Sequence, residues 1–81
     1  MKKISLEDIK KYDHIYSEDC MNHLIFDEKD RFMMPLHNSY VKLYRNNSLI
    51  AVFIMSYDGT IGMDVNETNT HIEEYGFKIV V

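Results

Sequence analysis

The chain has 81 residues, is 46% apolar and 27% charged, and carries a net charge of −4. That length fits one small globular domain, residues 1–81, and that apolar share excludes a disordered chain. The acidity argues against general nucleic-acid binding, which needs Lys and Arg to neutralise phosphates.

Cysteine usage and the termini set the expected compartment. Cys20 is the single cysteine, so no disulfide closes within the chain, as suits a reducing cytoplasm. Met1-Lys2-Lys3 leads into an amphipathic, acid-containing stretch rather than the apolar segment of a secretory signal. The longest apolar run, Leu49 to Met55, has seven residues and is too short to span a bilayer, so no membrane partner is expected.

In chain order, Ser5 reads as a helix N-cap with Asp8 at the reciprocal position, and Leu6, Ile9 and Tyr12 follow at helical spacing. This predicts a helix over 6–13. Ser17 reads as a second N-cap, with Glu18 and Asp19 in the first turn, where the helix dipole favours acids. Cys20, Met21, Leu24 and Ile25 complete a predicted helix over 18–26. Residues 27–31 form a charged turn, and Phe32–Met34 a short edge strand stopped by Pro35.

Residues 40–65 read as a three-stranded antiparallel meander. Asn46-Asn47 and Asp58-Gly59 are two-residue hairpin signals, because the favoured turn needs positive φ. A plain two-residue loop at Asn46-Asn47 sets Leu43 opposite Ile50, and Val41 opposite Val52. Period-2 alternation then gives a core face of Val41, Leu43, Ile50, Val52, Ile54, Ile61, Met63 and Val65. The second face holds Tyr40, Lys42, Tyr44, Leu49, Ala51, Phe53, Met55, Tyr57, Thr60, Gly62 and Asp64, with one charge on each outer strand. Six of these are bulky aromatic or aliphatic groups, which suits an interaction surface or a helix-covered layer.

Residues 66–70 read as a polar loop. Thr70 caps one predicted helical turn over 71–75, closed by Gly76. Phe77 to Val81 is a last strand, placed on the outside of the sheet beside Thr60–Val65. The expected fold is α+β: one or two N-terminal helices packed on a mostly antiparallel sheet of four or five strands.

Chemistry-bearing motifs are sparse. Cys20 and His23, at i and i+3, share a face of the predicted helix, and His14, His37 or His71 would complete a metal set. Zinc frameworks use two such pairs and this chain has one, so no metal is expected. A Cys20 nucleophile needs exposure and a lowered thiol pKa, whereas Cys20 falls on the apolar stripe. The three glycines form no phosphate loop, and no cofactor is expected. Tyr40, Tyr44 and Phe53 beside Lys42 and Arg45 are too thin a platform for stacking bases.

The leading expectation is a non-enzymatic protein-binding module. The abundance of Lys, Ile, Asn, Asp and Tyr suits an AT-rich genome, and by association a phage or mobile element. The module would then inhibit a host defence or nucleic-acid-processing enzyme. Residues 58–81 carry five acids against Lys78, so an acidic end would block a basic groove. The residues assigned to the partner are Tyr40, Tyr44, Phe53, Tyr57, Asp58, Asp64, Glu67, Glu73 and Glu74. Two alternatives are a homodimeric structural or regulatory domain and a small metal or cysteine-dependent enzyme.

Overall fold

The computed structural model describes residues 1–26, 39–55 and 63–81, with the backbone alone at Ser39 and Met55. Strand β1 (Lys2–Ser5) runs into helix α1 (Leu6–Lys11), followed by β2 (His14–Tyr16) and β3 (Asn22–Phe26). Next come β4 (Ser39–Arg45), β5 (Ser48–Met55), helix α2 (Val65–Ile72), a 3-10 turn (Glu73–Tyr75) and β6 (Phe77–Val80). The fold is α+β, with an antiparallel sheet in the order β2-β3-β4-β5 and a separate parallel pair, β1-β6.

One layer is the four-stranded sheet. The other consists of α1, α2 and the β1-β6 pair. Between them lies a core of Ile4, Ile9, Ile15, Leu24, Phe26, Val41, Leu43, Phe53, Ile72, Phe77 and Ile79. Helix α1 starts where the sequence signals it. The Asp8 N–H donates to Ser5 Oγ (3.2 Å), and the Ser5 N–H donates to Asp8 Oδ2 (3.0 Å).

The expected helix over 18–26 is corrected: residues 22–26 are strand β3, paired with β2 and β4. Asn22, Leu24 and Phe26 are buried while His23 and Ile25 are half-buried, a period of two rather than 3.6. The polar residues read as a helix start build a hairpin loop instead. Ser17 Oγ–H donates to Asp19 Oδ1, the Met21 N–H donates to the same oxygen (3.0 Å), and the Asn22 N–H donates to Ser17 Oγ (3.0 Å). Such local side-chain bonds compete with helix formation. Cys20 sits in the loop at φ 59°, exposed, not on a buried helical stripe.

The Asn46-Asn47 turn forms as expected, with φ of 49° and 66°, the left-handed pair that a type I′ turn requires. Beside the turn Tyr44 faces Leu49, but the next pair is Leu43 with Ala51. Ile50 is an extra residue, a β-bulge. Every later residue of β5 is therefore on the face opposite to the one expected. Phe53 and Ala51 join Val41 and Leu43 in the core layer, and Val52 and Ile54 are turned outward.

The third meander strand is corrected where it can be read. Met63 and Asp64 are outside any strand, and Val65 begins α2. The Asp58-Gly59 turn, Tyr57 and the Phe32–Met34 strand lie outside the described residues. The expected turn over 71–75 is the tail of a longer helical segment. Its N-cap is Asp64 rather than Thr70, with the Glu67 N–H donating to Asp64 Oδ1 (2.9 Å). Val65, Thr68, Asn69 and Ile72 recur on one side and pack inward, which overrides the polar composition of 66–70. Gly76 closes the segment at φ 89°, as its position suggested.

Strand β6 does not lie beside Thr60–Val65. It pairs in parallel with β1, Ile4 opposite Ile79, so the two ends of the chain meet. Asn69 holds it from the other side. Its Nδ2 donates to the Ile79 carbonyl and its Oδ1 accepts from the Ile79 N–H, both at 2.9 Å. Among the described residues, no helix is long and apolar enough to cross a membrane.

Candidate functional site

The face of the β2-β3-β4-β5 sheet turned away from the core is the most unusual surface among the described residues. Antiparallel sheets commonly leave one face to solvent, and that face is then polar. Here the register sets Tyr16, His23, Tyr44 and Leu49 in one row across the strands, and His14, Ile25, Lys42 and Val52 in the next. Tyr40 and Ile54 follow in the third row. Tyr16, Leu49, Val52 and Ile54 are each about half exposed, at 51%, 52%, 48% and 54%, and Tyr40 is 42% exposed.

The β2 side of this face is a ring cluster. Tyr16 and His23 lie parallel, with centroids 4.2 Å apart. His14 Nδ1 and His23 Nε2 are 2.7 Å apart, and the Tyr44 ring is tilted toward His23 at 6.3 Å. Partial burial, and then the neighbouring His14, hold the His23 imidazole below its ordinary pKa. Lys42, half-buried, is the one Lys, Arg, Asp or Glu among the described residues of these three rows. No acid stands among the described residues of these rows, although the chain is acidic overall.

The residues assigned to the partner do not form one surface. Tyr40 and Tyr44 belong to the open face. Phe53 does not: the Ile50 bulge turns it into the core, 6% exposed, with its ring 5.6 Å from that of His71 on α2. Tyr57 and Asp58 lie outside the described residues. Asp64, Glu67, Glu73 and Glu74 are exposed along α2 and the turn after it, on the core-layer side of the sheet. Asp64 caps α2, and Glu67 Oε1 lies 3.2 Å from His71 Nε2. The acidic segment therefore belongs to the helical layer, and it meets the open face only at the β5 edge, where Glu67 and His71 share a small cleft with Val52 and Ile54.

Tyr16, His14, Val52 and Ile54 were not assigned from sequence to the interaction surface, whereas Leu49 was already placed on that face. The signal for β2 and β3 was present as alternation around Ile15 and Leu24, masked by the helix-start residues Ser17 to Asp19. Nothing local in SLIAVFIM marks where a bulge falls. A groove of about 630 Å³ runs between β1, α1 and β2, lined in part by Lys2, Lys3, Asp8, Tyr12, His14 and Tyr16. Among the described residues no three His, Cys, Asp or Glu side chains gather as a metal cluster.

Comparison of the chain with protein-family models, with curated proteins and with solved structures found no match.

Proposed function

We propose that this protein is a non-enzymatic binding module that docks a partner protein through the open face of its four-stranded sheet. The observation that carries this reading is the three-row surface of Tyr16, Tyr40, Tyr44, Leu49, Val52 and Ile54. Leaving that much apolar area in water forgoes burial of about 25 cal/mol per Å², and such patches mark interaction sites. Tyr supplies contact area with little rotamer entropy to lose, as in binding hot spots.

Charge narrows the partner. Lys42 stands within the face, whereas Arg45 alternates to the other side of the same strand, opposite Asn22. The complementary surface is apolar at its centre and carries a carboxylate for Lys42. The inhibitor reading, in which acids fill a basic groove, draws on Asp64, Glu67, Glu73 and Glu74 instead. Those groups are well solvated where they are, whereas the apolar face gains by being covered, so the face is the stronger candidate.

The test compares the wild-type chain with Val52→Lys/Ile54→Lys and with Glu67→Lys/Glu73→Lys/Glu74→Lys. Each variant is first shown to unfold at the wild-type temperature. Each chain is then used for affinity capture from a cell extract, and the protein captured by wild type is purified and its affinity for each chain measured. Binding lost in the first variant and kept in the second supports docking on the face. Binding lost only in the second moves the site to the acidic segment. A wild-type chain that associates with itself, and dissociates in the first variant, makes a second copy the occupant.

A further inference from the structure

We propose that His14 and His23 form a two-imidazole chelate for a divalent transition-metal cation on the open sheet face. This goes beyond the docking reading and does not depend on it. His14 is on edge strand β2 and His23 on β3. His23 pairs directly with Tyr16, two residues beyond His14, so the two histidines are diagonal neighbours on one face.

Their facing nitrogens, Nδ1 of His14 and Nε2 of His23, are 2.7 Å apart while the ring centroids are 4.9 Å apart. The nitrogens therefore meet between the rings, nearly head-on. At that separation one must carry a proton and the other a lone pair. A cation takes the place of that proton. The ring that carried it moves its proton to its other nitrogen through solvent, so each ligand is a neutral imidazole and no net proton is released.

Metal–imidazole bonds of about 2.0–2.1 Å at a tetrahedral angle set two ligand nitrogens about 3.3 Å apart. The rings need to part by roughly half an ångström, and to turn by roughly 35° each out of the head-on line, to reach that geometry. His14 is exposed and can move. His23 is steadied by the parallel Tyr16 ring on the neighbouring strand. His14 therefore makes the larger adjustment and His23 the smaller. Imidazole pairs suit zinc, copper and nickel rather than magnesium or calcium. Because the face is exposed, water supplies the remaining ligands.

The experiment titrates the full chain, without an affinity tag, with zinc, copper(II) or nickel ions at neutral pH, followed by calorimetry. The expected result is one saturable site per chain. His14→Ala and His23→Ala should each weaken it by roughly tenfold or more, as ligand losses do. Cys20→Ser and His71→Ala should leave it unchanged. Thermal unfolding without metal confirms that each variant is folded. Nitrogen chemical shifts of wild-type protein with zinc should move at His14 Nδ1 and His23 Nε2. No saturable uptake, uptake that survives the His14→Ala/His23→Ala double variant, or uptake lost in Cys20→Ser would overturn the proposal.

Discussion

The phenol ring of Tyr16 lies against the imidazole of His23, with centroids 4.2 Å apart and planes within 5° of parallel. The two residues are direct partners across β2 and β3, so the contact joins the edge strand to the sheet interior. Cross-strand aromatic pairs of this kind contribute about 0.5–1 kcal/mol beyond the area they bury. A double-mutant cycle with Tyr16→Ala and His23→Ala, read by urea unfolding, should return a coupling of that size. Additive effects would mean that the rings do not hold β2 in place.

The Ile50 bulge gives a sharper test of the sheet. With Ile50 deleted, Leu49 still faces Tyr44 and Ala51 still faces Leu43, so Phe53 stays in the core. The deletion should fold cooperatively and cost no more than about 1 kcal/mol, as surface changes do. In an unbulged ladder the same deletion would throw Phe53 to the open face, and the core would collapse. Denaturant midpoint and slope separate the two cases.

Asn69 acts as a substitute strand for the free side of β6. Its amide exchanges two buried hydrogen bonds with Ile79. Asn69→Ala leaves both Ile79 groups unpaired, and should cost about 2–4 kcal/mol. Asn69→Asp keeps the acceptor but loses the donor and adds a charge, so it should also destabilise. A variant as stable as wild type in urea unfolding would show that water satisfies the Ile79 backbone equally well.

The β2-β3 loop predicts an acid sensitivity. The Ser17 hydroxyl, and then the Met21 N–H, hold the Asp19 carboxyl below its ordinary pKa. The unfolded chain therefore binds this proton at a higher pH than the folded one. The contribution is complete above the ordinary aspartate value and is lost as pH falls through the lower, folded value. Asp19→Asn keeps an acceptor but does not titrate. The melting-temperature difference between wild type and this variant should be constant near neutrality and shrink in acid. A difference independent of pH throughout the acid range would remove Asp19 from the loop's hydrogen bonding.

Much of the local chemistry was legible in the residues. Ser5 with Asp8 specified where α1 begins, because a short polar side chain can reach back to orphan amides. Asn46-Asn47 specified its turn, because Asn tolerates positive φ. Gly76 marked a helical end for the same steric reason. The α+β character and the antiparallel β4-β5 pair followed from alternation and turn chemistry alone.

Long-range pairing and the allocation of faces were decided only in three dimensions. Ser17, Glu18 and Asp19 suit a helix start and a hairpin loop equally. The choice fell to β3, which buries Leu24 and Phe26 only as a strand between β2 and β4. The β1-β6 pair joins residues at opposite ends of the chain, and no local pattern encodes a partner that distant. The site depended most of all on one residue. In a strand apolar at almost every position, both faces satisfy the hydrophobic pattern, so sequence leaves the inward face undetermined. Packing of Phe53 against the core and α2, made possible by the extra residue at Ile50, decided it, and so exposed Val52 and Ile54 beside the tyrosines.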